Sequence, residues 1–175
     1  MTRALILPGL SDSGPEHWQS LWEHDDPTFV RVVQRDWENP IRQEWVAELE
    51  AAVLAAGPDV VLIGHSTGCA LVAFWGAATA QTVRGALLVA PSDTEAPSYP
   101  VGPTGWRPLP LTPLKFPSIV VASSDDEYAS LDRARLFADS WGSRFVPIGA
   151  AGHINAESGL GCWPQGRELL GELLG

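Results

Sequence analysis

The feature that most constrains this chain is a five-residue turn set between two apolar segments. Asp59–Ile63 reads DVVLI, a nearly continuous apolar run of the kind found in a parallel strand buried on both faces. Gly64-His65-Ser66-Thr67-Gly68 follows directly, and the Ala-rich stretch through Ala80, with Leu71, Phe74 and Trp75, reads as a helix. A chain that leaves a strand and enters a helix within so few residues needs a sharp, strained backbone. Glycines on both sides of the turn meet that need, because a Cβ there would collide with the neighbouring strand and helix. As a bare pattern G-x-S-x-G is weak. The strand before it and the helix after it give it weight, since a nucleophile elbow requires both. The alternative is an ordinary strand–helix turn in which the serine hydroxyl is a cap.

The rest of the chain repeats the alternation. Arg3–Leu7, Thr28–Val33, Gly85–Ala90, Ile119–Ala122 and Arg144–Ile148 read as further strands. A first helix is expected from near Pro15, with Trp18, Leu21 and Trp22 on one face, closed by Pro27. A second is expected from Asn39-Pro40, with Asn39 as cap and Pro40 at the first helical position. Ile41, Trp45, Leu49 and Val53 mark its face, and Gly57-Pro58 stops it. Ser130 caps a helix through Trp141, and Arg167–Leu173 forms a last short one. Pro91–Pro117 has many prolines and no periodicity, so a long surface loop is expected there, with Trp106 a candidate cover for the site. Gly149–Pro164 reads as a Gly-rich loop. The pattern implies an α/β class: a doubly wound, mostly parallel sheet of about six strands in one domain over residues 1–175.

Charge and cysteine content narrow the function. Eleven basic and 21 acidic residues give a formal net charge of −10. That balance argues against nucleic acid or an anionic membrane as partner. The apolar stretch in MTRALILPGL is too short for a signal peptide and reads as the first strand, and no run reaches bilayer length. Two cysteines, Cys69 and Cys162, lie outside any CxxC or metal-like cluster, so reduced thiols in a cytoplasmic protein are expected.

If Ser66 is a nucleophile it needs a base, an acid to orient the base, and donors for a developing oxyanion. In a fold with a nucleophile elbow the chain order is serine, acid, histidine, with the histidine after a late strand. Among His17, His24, His65 and His153, only His153 qualifies. His17 and His24 are expected at the surface, with a place at the cleft mouth the other reading for His17, and His65, inside the tight turn, as a packed support residue. The acid should follow an earlier strand, where Asp125 and Asp126 stand side by side. The expected oxyanion donors are the backbone N–H groups of Thr67, which follows the serine, and Leu10, in the loop after the first strand. Cys69 is expected to be a small packed residue.

These segments resemble the small serine hydrolases of the α/β-hydrolase fold typified by retinoblastoma-binding protein nine and the bacterial YdeN-type esterases. The resemblance runs nearly end to end. It rests on Leu7-Pro8-Gly9 with Trp18, on Asp36-Trp37 with Pro40, on Gly64–Cys69 and on Ser123–Tyr128. Its most specific block is Gly152-His153-Ile154-Asn155, Ser158-Gly159, Gly161, Trp163-Pro164 and Gly166. In that family the acid precedes a proline–aromatic pair. Asp126-Glu127-Tyr128 matches with Glu127 in place of the proline, so the resemblance implies Asp126 rather than Asp125. It also implies a compact hydrolase without a lid domain. The expected activity is cleavage of a small carboxylic ester or related acyl substrate through Ser66, Asp126 and His153, with no metal or organic cofactor. Amide hydrolysis or acyl transfer by the same residues, or a non-catalytic binding protein on this scaffold, are the other readings. Oligomeric state is not legible.

Overall fold

In the computed structural model, which describes residues 1–175, the strands are β1 (Ala4–Leu7), β2 (Phe29–Arg31), β3 (Val61–His65), β4 (Gly85–Val89), β5 (Ser118–Ala122) and β6 (Arg144–Pro147). The helices are α1 (Trp18–Asp25), α2 (Arg42–Ala56), α3 (Thr67–Ala78), α4 (Leu131–Trp141) and α5 (Pro164–Leu174), with a 3-10 turn at Ala156–Ser158. The strands form one sheet in the order β2-β1-β3-β4-β5-β6, and every neighbouring pair is parallel.

Strand alternation splits the core in two. Leu5 and Leu7 of β1, Leu62 of β3, Ala86 and Leu88 of β4 and Val120 of β5 face one side. There they pack with Trp45, Leu49 and Val53 of α2, Leu71 and Trp75 of α3, and Phe137 and Trp141 of α4. Ala4, Ile6, Val61, Ile63, Leu87, Val89, Ile119 and Val121 face the other side, against Trp18 and Trp22 of α1 and Leu169 and Leu170 of α5. Helices on both faces are what a continuous apolar strand such as β3 demands, because each of its faces must be covered.

The chain steps from β1 outward to β2, then returns across β1 to place β3 on its other side. The loops after β1 and β3 therefore diverge at the C-terminal edge of the sheet. That crevice is where open parallel sheets bind ligands.

Several boundaries differ from the sequence reading. The first helix begins at Trp18, not Pro15, because the His17 ring caps it by accepting the Gln19 N–H (3.1 Å). The second begins at Arg42, with Ile41 at the cap position and no side-chain cap bond. Asn39-Pro40 fails as a start because the Pro40 carbonyl is taken by the Thr104 N–H (2.9 Å) and the Trp106 Nε1–H (3.0 Å). The second strand shortens to Phe29–Arg31, and the last helix already starts at Pro164, a position proline suits.

Residues 91–117 contain no helix and no strand, as expected, but they do not lie loosely on the surface. Thr94, Trp106, Leu109 and Phe116 are buried. Trp106 does not cover the site: it is driven into the α2/α3 side, edge-on to Trp45 (5.4 Å) and Phe74 (5.9 Å). Burying the indole in the core outweighs leaving it over a polar cleft.

Candidate active site

Ser66 stands at the end of β3 with φ 58° and ψ −123°, a conformation L-residues seldom adopt. The close packing around it explains why the turn needs glycines. A Cβ on Gly68 would strike the Leu7 carbonyl of β1. One on Gly64 would lie 3.1 Å from the Gly68 carbonyl group, and one on Gly9 would lie 2.8 Å from Ser66 Cβ. The loop after β1 and the turn after β3 are thus packed backbone to backbone.

His153 follows β6 in a segment held at many points. The Asn155 side chain accepts the Glu157 N–H (3.1 Å), and Ser158 Oγ donates to the Ala151 carbonyl (2.6 Å). Ile154, at φ 48°, is fully buried, and its carbonyl accepts the Trp18 Nε1–H (2.8 Å). Held this way, His153 places Nε2 2.9 Å from Ser66 Oγ and Nδ1 3.0 Å from both Asp126 carboxyl oxygens. The Asp126 side chain is 3% exposed and that of His153 10%. Because the carboxyl oxygens accept, the imidazole carries its proton on Nδ1. Nε2 is then free to accept the Ser66 hydroxyl proton.

The two neighbouring aspartates have different surroundings. Asp125 Oδ1 accepts the Ser123 hydroxyl (2.7 Å) and the Gly152 N–H (2.8 Å). These bonds, the hydroxyl's first, hold its carboxyl below the usual range. Asp125 ties the loop after β5 to the segment after β6; Asp126 alone faces His153.

His65 packs against His153 with ring centroids 4.8 Å apart and donates Nε2–H to the His153 carbonyl (2.9 Å). Burial holds its pKa well below the usual histidine value, so the ring is a neutral support. Cys69 is buried and its thiol donates to the Val89 carbonyl (3.3 Å). Burial pushes its pKa up, which removes the thiolate a nucleophile needs. The Leu10 and Thr67 N–H groups, the expected oxyanion donors, are claimed by no backbone carbonyl. Leu10 lines the cavity over Ser66, while Thr67 is buried behind the serine with its hydroxyl 3.2 Å from the Tyr99 hydroxyl.

That cavity measures about 400 Å³, within the range of small-molecule sites. Some of the groups that shape it were not expected from sequence. Ser92, just past β4, lies with its Oγ 2.7 Å from Ser66 Oγ. Since the Ser66 hydroxyl donates to His153, Ser92 donates to Ser66. A hydroxyl residue following a central parallel strand was the available signal. His17, for which the sequence left surface and cleft mouth open, takes the cleft: it is 5% exposed, lines the cavity and meets His65 edge-on at 4.6 Å. Its role as the α1 cap turns the ring inward. Tyr99 and Tyr128 form further walls, the latter against the His153 ring at 4.4 Å. No His, Cys, Asp and Glu side chains cluster as a metal site would require.

Comparison with known proteins follows the same lines. A family model described as serine hydrolase matches residues 4–172. No curated protein matches the chain. A YdeN-like hydrolase from Pectobacterium atrosepticum is 33% identical with a TM-score of 0.88, the match covering 99% of this chain and 91% of that one. The ydeN gene product of B. subtilis is 15% identical at a TM-score of 0.74, covering 99% and 98%. Est1E from Butyrivibrio proteoclasticus, solved with ferulic acid bound, is 13% identical at 0.72, covering 99% and 90%. The last two establish the shared fold, that of the α/β-hydrolases, here compact and without a lid domain.

Proposed function

The chain belongs to the serine hydrolase family, and from that premise we propose that it cleaves small carboxylic esters through Ser66, His153 and Asp126. The observation that carries this reading is the continuous line of hydrogen bonds from the Asp126 carboxyl through both imidazole nitrogens to Ser66 Oγ. In this scheme Ser66 attacks the ester carbonyl while His153 Nε2 takes the hydroxyl proton. Asp126 stabilises the imidazolium that forms. The Leu10 and Thr67 N–H groups receive the developing oxyanion, and the N-terminus of α3 favours the same charge. His153 returns the proton to the leaving alcohol, giving an acyl-serine. A water activated by the same imidazole then releases the acid.

A cavity of about 400 Å³ suits short acyl groups rather than lipid chains. The partner in this reading is a small-molecule acyl substrate, with neither nucleic acid nor membrane involved. The two free cysteines fit a cytoplasmic setting, and no helix is long and apolar enough to cross a membrane.

A fluorophosphonate reagent tests the nucleophile directly, and p-nitrophenyl esters of increasing acyl length test the reaction. Wild type should label and turn over short esters, and both Ser66→Ala and His153→Ala should abolish each. A folded wild type that takes no label would leave a binding protein on this scaffold as the better account.

A further inference from the structure

Neutral histidine has one N–H and one bare nitrogen, and for His17 the two can be told apart. Nδ1 accepts the Gln19 backbone N–H, so the proton sits on Nε2. That N–H is buried, and no acceptor of the protein reaches it. Buried donors are almost always paired, and an orphan calls for a reason. Here the ring lines the same cavity as Ser66 and Leu10. Burial first, then the charge of Arg31, holds the His17 pKa at about 4, so near neutral pH the ring offers this one donor. Arg31 is itself fixed by Asp12 (2.7 Å) and Glu23 (2.8 Å) and turns no charge of its own toward a ligand.

The cavity wall is mixed: 3 of its 14 residues are hydrophobic, and polar side chains stand between the apolar faces of the rings. Glu38 is among them, whereas the Asp12 carboxylate, also on the wall, is paired with Arg31. An N–H donates to either a charged or an uncharged oxygen, but the Glu38 carboxylate on the same wall disfavours an anion, which leaves an uncharged oxygen as the fitting acceptor. We propose that His17 is a substrate-recognition residue whose Nε2–H receives an uncharged ether, hydroxyl or carbonyl oxygen carried close to the reacting ester. The enzyme then prefers oxygen-bearing esters to their plain alkyl counterparts. The proposal rests on the hydrolase reading above and narrows its substrate class.

Isosteric pairs test it. p-Nitrophenyl methoxyacetate differs from the butyrate by an ether oxygen in place of a methylene, and 2-methoxyethyl acetate differs from butyl acetate in the same way on the alcohol side. The readout is the ratio of kcat/KM within each pair, in wild type, His17→Asn and His17→Gln. Asparagine reproduces the Nδ1 acceptor that caps α1 but not the distant donor; glutamine reproduces the donor. In at least one pair the ratio should fall roughly tenfold in the Asn variant, the worth of one hydrogen bond, and recover in the Gln variant. Should His17→Asn fail to fold, wild type decides alone: its ratio must exceed that of hydroxide-catalysed hydrolysis of the same pair by about tenfold. Equal ratios in all three proteins, or a wild-type ratio no greater than hydroxide's, overturn the proposal. Fluorophosphonate labelling keeps the two readings apart. Label with flat ratios sinks only the role of His17; no label on folded wild type sinks the hydrolase reading and this one with it.

Discussion

Residues 91–117 and 149–164 start from equivalent places, just beyond the C-terminal ends of β4 and β6, and both are irregular and rich in glycine or proline. The first spends its large side chains on the α2/α3 side, where Trp106 and Leu109 are buried and Trp106 Nε1–H reaches the Pro40 carbonyl. The second is held mainly by short polar bonds, through Ser158, Asn155 and the Gly152 N–H, with Ile154 and Trp163 as its apolar anchors on the opposite side. One irregular segment has become core, and the other has become a mount for a reactive side chain. The difference lies in what each segment's polar atoms and rings can reach across the sheet, not in composition.

The sharpest separation should come from His153→Ala, which is expected to lower kcat by about 10⁴-fold while leaving the thermal midpoint nearly unchanged. Steady-state ester turnover and a thermal melt on one sample would check both halves. Trp106→Ala should show the converse. Truncating a fully buried tryptophan costs about 3–5 kcal/mol of stability in denaturant unfolding, with turnover per folded molecule largely kept. A large loss of kcat in that variant would mean the two segments are coupled.

Acid should act on the α1 side first. The folded His17 holds its pKa at about 4, down from 6.5, so between these values the unfolded chain binds a proton that the native one does not. Stability is therefore complete above pH 6.5 and declines as pH falls toward 4, by up to about 3 kcal/mol from this ring. His65, also held low by burial, adds to the same slope. Denaturant titrations from pH 4 to 8 should show a shallower decline in His17→Gln than in wild type. The smallest effect blurs the division between segments, because Ser92 belongs to the first yet touches the nucleophile. Ser92→Ala should lower kcat about tenfold, the worth of one hydrogen bond to Ser66 Oγ, with little change in stability. Ser92→Thr, which keeps a hydroxyl, should recover most of it.

How legible the site was follows the same division. Ser66 and His153 stand out because local rules surround them: a glycine on each side of one, and a glycine turn after the last strand for the other. Asp125 and Asp126 satisfy the same local rules, and only resemblance separates them; which one meets His153 depends on how the loop after β5 crosses to Gly152. Ser92 was hidden, and His17 was legible only as one of two readings, because each joins the site only through strand order and through the cap of α1. The Asn39-Pro40 helix start went wrong for a related reason. Its local signal was sound, but Thr104 and Trp106, far along the chain, claim the Pro40 carbonyl.

The contact between Gly68 and the Leu7 carbonyl has a bearing on how the protein is made. The turn that raises Ser66 packs directly on the end of β1, whose following loop carries Leu10, and His153 leaves the ribosome only after all six strands. A reagent that needs an activated serine would therefore report completion: chains halted before residue 153, or with β1 displaced, should stay dark to it even where much of the sheet has formed.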